Sequence, residues 1–247
     1  MRLYDRLHAL HRVWRYRLRT ERDELKFLLG RDLQGHTVVD VGANRGSYSY
    51  WMHKAVGTQG HVVAFEPQPE LNIYLQDLRA TFKLNQLTIV PCGLSSHPEE
   101  TNLVRPRNHW GAASLHMTPN EHTDIVPVKL TTLDDYFANS SVRPIRFMKV
   151  DAQGHELEIF RGGERVLRED KPDLLFEAYD YLIDGAELVP FLDSLGYDGF
   201  FLFEGQLTPI SRLAEFRPRL PRKVSFFNYI FLPRAKAQSQ PRLRAAA

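Results

Sequence analysis

Short apolar runs of strand length recur through this chain, most of them followed by a stretch of helical length. HTVVDVG (36–42) leads into SYSYWMHKAV (47–56), and HVVAFEP (61–67) leads into a helix expected over about 69–83. LTIVPCG (87–93), IVPVKL (125–130), IRFMKVD (145–151) and PDLLFEAY (172–179) continue the series, with helices expected from HELEIFRGGERVL and near 186–195. FFLFEG (200–205) and SFFNYIFL (225–232) close it as an antiparallel pair. Strands buried on both faces read as continuous apolar runs, and strand–helix alternation builds βαβ units on a mostly parallel sheet. The expected fold class is therefore α/β, with helices on both faces of the sheet. Ligands in such folds bind outside the carboxyl ends of the strands, so residues just after each strand are the ones placed to do chemistry.

Composition narrows the field further. At 247 residues and 43% hydrophobic, the chain suits one large domain with a substantial core and is not a disordered polymer. No apolar run approaches the roughly 18 residues a membrane span needs. The single cysteine, Cys92, excludes an internal disulfide framework and fits a reducing, cytoplasmic setting. The formal net charge of +2 conceals an uneven distribution: residues 1–20 carry +5, residues 212–247 carry +8, and the stretch between carries −11.

Residues 1–20 place Leu3, Leu7, Leu10 and Trp14 at helical spacing among six arginines, which reads as a basic amphipathic helix. Arginines interrupt every candidate signal-peptide core. Such a helix can lie peripherally on an anionic membrane at its inner face, or pack on its own domain or on the partner of a homodimer. A second helix is expected from Glu21 to about Asp32. Residues 100–124, rich in Asn, His, Pro and Thr, read as a long irregular binding loop. The tail AKAQSQPRLRAAA reads as disordered and basic.

The strongest local signal is VVDVGANRGSYS. A strand ends at Asp40-Val41, and Gly42, Asn44 and Gly46 turn the chain into a helix. Glycine lets backbone approach a ligand closely there, and the helix start offers free N–H groups. The turn lacks the G-x-G-x-x-G spacing of dinucleotide sites. Instead Asp40 precedes it, and a carboxylate disfavours pyrophosphate while suiting an ammonium or sulfonium. By itself this could be a structural tight turn. Glu66, however, closes the next strand, where an acid accepts hydrogen bonds from ribose hydroxyls. Together these residues point to a nucleoside with a cationic tail, a description that S-adenosylmethionine meets and NAD does not.

The chain resembles the FkbM-type S-adenosylmethionine-dependent methyltransferases. The resemblance rests on DVGANRGSYS (40–49), FEPQPE (65–70), TTLDDYF (131–137), KVDAQGHELEIFRGG (149–163), LLFEAY (174–179) and NYIFLP (228–233), in the family's order. It implies a class I, Rossmann-like seven-stranded sheet, mostly parallel with one antiparallel strand. It also implies methyl transfer to a hydroxyl oxygen of a sugar, glycan, polyketide or similar small molecule. The domain so defined covers 36–233, with a basic helical segment (1–35) before it and the basic tail (234–247) after it. Many relatives carry Glu where this chain has Gln153, so no base can be assigned there.

Lys149-Val-Asp151 ends a strand expected near the middle of the sheet. Asp151 is the candidate general base or substrate-orienting acid, with Glu177 at the end of the next strand as the second candidate. Both can instead act structurally, capping a helix or pairing with Lys149. Cys92-Gly93-Leu94-Ser95 ends the third strand, where an adenine is expected to lie against small and apolar residues. Asn108, His109 and Trp110 are candidates to line the acceptor pocket, although a loop Trp can equally anchor packing. The histidines show no metal-ligand spacing, and no metal is expected. Nucleic acid is not an expected substrate: the body is acidic and the D/N-P-P-Y/F signature of exocyclic-amine methylation is missing.

Overall fold

The computed structural model describes residues 1–220 and 226–238. Its main sheet has eight strands, and five of the expected strands run parallel in it: β1 (Thr37–Val41), β2 (His61–Phe65), β3 (Leu87–Val90), then, beyond three strands that leave this sheet, β7 (Ile145–Val150) and β8 (Asp173–Tyr179). The three that leave it, the expected strand 125–130 among them, precede β7 in the chain. These are β4 (Gly93–Leu94), β5 (Glu99–Pro106) and β6 (Thr123–Thr131), which form a separate small sheet in the order β4-β6-β5. β9 (Tyr197–Phe203), β10 (Gln206–Pro209) and β11 (Phe226–Pro233) complete the main sheet, in the order β10-β9-β11-β8-β7-β1-β2-β3.

Stripped of β10, this is the seven-stranded order in which one antiparallel strand, β11, inserts between β8 and β9. The expectation of seven strands with one antiparallel member thus needs a correction. β10 adds an eighth strand, antiparallel to β9, because Glu204 and Gly205 both adopt left-handed backbone and turn the chain straight back along the sheet edge. The expected loop over 100–124 is also corrected. Glu99–Pro106 is a strand, paired with β6 from Glu99↔Leu130 to Pro106↔Thr123, and residues 107–122 form the connection.

Helices cover both faces, as strands buried on both sides require. One face carries α1 (Leu3–Arg15), α2 (Arg22–Leu29), α3 (Ser47–Val56) and α4 (Pro69–Phe82), packed on Val38, Val62, Phe147, Leu175 and Ile230. The other carries α5 (Leu133–Tyr136), α6 (Glu156–Arg161), α7 (Glu164–Asp170), α8 (Asp180–Asp184) and α9 (Leu188–Ser194), packed on Val39, Val41, Met148, Val150 and Phe176. Alternation along the strands sorts these two sets. It also puts Asp40, Lys149 and Glu177 on the α1–α4 face.

The N-terminal segment is docked on the domain. α1 buries Ala9 and Val13, and the Trp51 indole N–H donates to the Val13 carbonyl at 2.9 Å. Trp14 meets Trp51 edge-on, ring centres 5.0 Å apart, and Arg17 lies over the Trp51 ring. A π-helical turn, Tyr16–Thr20, joins α1 to α2. At the other end, after α10 (Leu213–Phe216), residues 234–238 of the expected disordered tail form α11 (Arg234–Gln238). Arg234 bonds Asp198, and Lys236 Nζ reaches Asp173 at 3.0 Å, so this part of the tail is held by ion pairs. Residues 239–247 lie outside the described residues. No helix among the described residues is long and apolar enough to cross a membrane.

Candidate active site

The glycine turn is built on contact between two strand ends. Gly42 has φ +73°, and a Cβ there would lie 2.0 Å from the Asp151 carbonyl oxygen. The Asp151 N–H donates to Val41 O at 3.0 Å, which locks the end of β7 to the end of β1. Asn44 is left-handed as well, and its N–H points to the second acid. Glu66, 2% exposed, accepts from Asn44 N at 2.8 Å and from Gln68 N at 2.9 Å. One carboxylate therefore holds both the β1–α3 turn and the β2–α4 turn. Burial pushes its carboxyl up to about 7.

Beyond these turns lies a crevice of about 670 Å³. Glu66, Pro67 and Gln68 line it, together with Leu103, Val128 and Leu130 of the small sheet. Trp110 closes its rim, held by the Arg105 guanidinium 4.4 Å above the ring and by a Gln68 Nε2 bond to its carbonyl. Arg105 is itself buried and fixed by a two-pronged pair with Glu70. Its largely apolar lining suits a flat ring, and an acid at its side suits a vicinal diol. The open end runs past Asn44 to Asp151, a carboxylate end that suits a cation. These residues fit a nucleoside with a cationic tail.

At that open end four side chains meet. Gln153 Nε2 donates to Asp151 Oδ1 at 3.0 Å and to Glu177 Oε1 at 3.1 Å, while Tyr179 OH donates to Gln153 Oε1. An amide NH₂ carries the two hydrogens this bridge needs; a Glu in its place would put a third carboxylate between two others. Burial and the charge of Asp151 push Glu177 up to about 8, so it keeps its proton near neutrality. Lys149 is fully buried on the α3 side, 3.9 Å from Asp151 Oδ2. Burial works against its charge, but Asp151, Glu21, Glu177 and Asp40 outweigh burial and hold it above the ordinary lysine value. The 152–154 turn is fixed from below by buried Glu156, which accepts from Ala152 N and Gly154 N. The segment is tied sideways by a chain from His116 to His155 to Ser95.

Residues 40–198 match the family model described as the methyltransferase FkbM domain. The chain belongs to the FkbM methyltransferase family. A curated relative, the hexuronic acid methyltransferase AglP of Haloferax volcanii, is 27% identical over 165 residues, which is 66% of this chain and 64% of the relative. An FkbM methyltransferase structure from Methylobacillus flagellatus superposes with TM-score 0.52 at 16% identity, covering 80% of this chain and 43% of that one. A precorrin-6y C5,15-methyltransferase from Geobacter metallireducens gives 0.50 at 13% identity, covering 86% and 87%. The chain thus spans just under two thirds of the curated relative and less than half of the FkbM structure.

On this FkbM fold the expected site residues separate into groups. Gly42, Asn44, Glu66, Gly93, Trp110 and Asp151 all line the crevice, and Glu177 joins through Gln153. Asp40 is 2% exposed, bonded to Ser49, and lines a second, polar pocket on the other side of the Gly42 turn, together with Lys149. Gly46 does not reach the crevice. Its φ of +72° starts α3, and a Cβ would strike Leu75 and Leu78, so it is there for packing. Cys92 is half-buried against the core rather than on the crevice wall, and burial raises its thiol above the ordinary value. His109 and Asn108 stay outside the lining, whereas neighbouring Trp110 and Gly111 belong to it. Sequence reasoning missed Gln68, His155 and the Arg105 clamp. Of these, only the pairing of Gln68 with Glu66 in FEPQPE carried a local signal. No group of three or more potential metal ligands occurs among the described residues.

Four buried carboxyls share one electrostatic tendency. Burial raises Asp40 to about 6, Glu66 and Glu156 to about 7, and Glu177 to about 8. A folded-state pKa above the unfolded value of about 4 means the native state binds more protons in between. The stability they contribute is complete below about pH 4 and is lost as pH rises through 6 to 8. The ligand-free FkbM protein should therefore melt at a lower temperature at pH 8 than at pH 5.5 in thermal scans. A flat or rising profile over that range would contradict burial of these charges.

Proposed function

We propose that this protein transfers a methyl group from S-adenosylmethionine to a hydroxyl oxygen of a small carbohydrate acceptor, with a uronic acid, as in the name of the curated relative, the first class to test. The observation that carries this reading is the convergence of the Glu66 crevice and the Asp151–Gln153–Glu177 bridge on one end of the sheet. When bound, the donor supplies an electrophilic methyl carbon on a positively charged sulfur. Glu66 and the apolar walls hold the nucleoside, and Asn44, Gly42 and Asp151 border the space where the methyl is presented. Asp151 accepts the acceptor hydroxyl's proton as the hydroxyl oxygen bonds to the methyl carbon and the methyl–sulfur bond breaks, which leaves the neutral thioether S-adenosylhomocysteine. Gln153 orients Asp151, and the proton retained on Glu177 keeps a second negative charge from competing for it. Alignment of donor and acceptor in this confined end supplies much of the rate. Against the alternative, a nucleic-acid methyltransferase, the crevice lining carries Glu66 and Asp151 and no Lys or Arg.

Titration calorimetry tests the donor assignment. S-adenosylhomocysteine is expected to bind and NAD to give no heat; NAD binding with S-adenosylhomocysteine silent reverses the reading. Product mass after incubation with donor and a panel of glucuronides, neutral glycosides and polyketides then identifies the acceptor class.

We also propose that α1 docks peripherally on an anionic membrane surface at its cytoplasmic face. Its inner stripe is spent on the domain, yet Leu3, Leu7 and Trp14 remain exposed on a second stripe, Leu3 at 73%. Arginines 2, 6, 15 and 19 of the same segment are exposed, the charge complement of anionic lipid. In flotation assays the protein should co-migrate with vesicles containing phosphatidylglycerol and stay behind with neutral ones. Leu3→Glu with Leu7→Glu should abolish co-migration. Equal flotation of wild type and variant removes the membrane assignment, and a concentration-dependent dimer broken by the same substitutions assigns the stripe to a second copy instead.

A further inference from the structure

The polar pocket on the far side of the Gly42 turn has walls that come from outside the matched family segment. It spans about 420 Å³, part of it open to solvent, and shares Gly42, Asn44 and Asp151 with the crevice, so the two meet at the methyl-transfer end. Arg12 and Tyr16 of the N-terminal segment, Glu21 before α2, and Arg45 of the turn line it beside Lys149.

The charges in this pocket are separated. Glu21, taking a hydrogen bond from the Tyr48 hydroxyl, lies with Asp40 and Lys149 among the buried groups. Arg12 and Arg45 form its cationic part. Both adjoin Tyr74 of α4: Arg12 through a hydrogen bond to its hydroxyl, Arg45 with its guanidinium 5.8 Å from the ring centre. Neither is paired with a carboxylate among the described residues, and Arg12 Nε is buried with no hydrogen-bond partner. The proximity of Arg45, added to burial, holds Arg12 below the ordinary arginine value. Two partly buried guanidiniums close enough to repel each other are unfavourable alone and favourable once an anion binds both. The π-helical turn that begins at Tyr16 is the kind of helix irregularity found at functional sites.

We propose that Arg12 and Arg45 form a carboxylate-binding subsite beside the methyl-transfer centre. This rests on the methyltransferase reading and extends it. Two ligands carry a carboxylate to this point: the amino-acid end of the donor, whose ammonium would face Asp40 and Asp151, and a uronic acid acceptor. In either case the basic helix contributes to the site itself.

Arg12→Gln, Arg45→Gln and the double variant of the full chain separate the sources. Four probes are titrated: S-adenosylhomocysteine, 5′-methylthioadenosine (the nucleoside without the amino-acid end), methyl glucuronide and methyl glucoside. Loss of a charge-assisted pair is expected to weaken the cognate probe about 10- to 100-fold. Selective weakening of S-adenosylhomocysteine assigns the subsite to the donor; selective weakening of the glucuronide assigns it to the acceptor. Unchanged affinities in the double variant overturn the proposal, as does equal weakening of both nucleosides, which reports structural damage. Wild-type protein that binds neither nucleoside overturns the methyltransferase reading itself and the subsite with it.

Discussion

Asp151→Asn lowers turnover by about two to four orders of magnitude, the usual contribution of a positioned general base, while S-adenosylhomocysteine still binds. The substitution keeps shape and leaves an oxygen for the Gln153 amide, so the 151–154 turn survives. What it removes is the proton acceptor at the methyl-transfer end. Lys149, 3.9 Å away, is an ammonium held above its ordinary value and cannot take a proton. In the wild-type protein Glu177 does not act as the base near neutrality, since burial and Asp151 push its carboxyl up to about 8. Glu177→Gln should accordingly retain most activity at pH 7. Steady-state rates with the identified acceptor decide the matter: full activity in Asp151→Asn would place the base elsewhere.

Gly42→Ala produces the largest loss of stability expected from any single methyl group in the crevice. The new Cβ would lie 2.0 Å from the Asp151 carbonyl, so the β1 and β7 ends must part or the turn must rebuild. A left-handed φ of +73° adds its own cost for a non-glycine residue. Strain and overpacking together come to about 2–5 kcal/mol, or roughly 5–20 °C in melting temperature for a chain of this size. Gly35 supplies the control. It has φ +75° with nothing within 4 Å of its Cβ position, so Gly35→Ala carries only the backbone penalty of about 1–2 kcal/mol. Equal melting temperatures for the two variants would show that the strand ends are not in contact. Donor binding should fall with Gly42→Ala even in the fraction that folds, because Gly42 and Asp151 border both pockets.

How far the sequence could be read follows from the range of the interactions involved. β1, α3, β2 and α4 were legible because each is encoded locally: apolar runs buried on both faces, glycines at 42 and 46, Pro69 at a helix start. Glu66 was legible for the same reason, standing one residue past its strand. β5 was not, since Glu99–Pro106 contains Asn, Thr and Pro and buries Leu103, Val104 and Arg105 in succession without alternation. Only pairing with β6 makes it a strand. The role of Arg105 was equally hidden, because its partners Glu70 and Trp110 come from α4 and from the loop. The N-terminal segment was correctly read as an amphipathic helix, but its contribution to a pocket depends on contacts between residues 12 and 74 and between 21 and 48. No local pattern encodes such pairs. Gln153 was noticed as a departure from the family pattern, and its bridging of two carboxylates became evident only with β7 and β8 side by side.

The edge-on meeting of Trp14 and Trp51 has a practical consequence. Two indoles with centres 5.0 Å apart, one on α1 and one on α3, are close enough for their excited states to couple. Docking of the N-terminal helix therefore has an optical signature in near-ultraviolet circular dichroism and in tryptophan emission. Changes at the helix, whether from lipid, from a carboxylate ligand or from Arg12→Gln, can be followed without attaching a label.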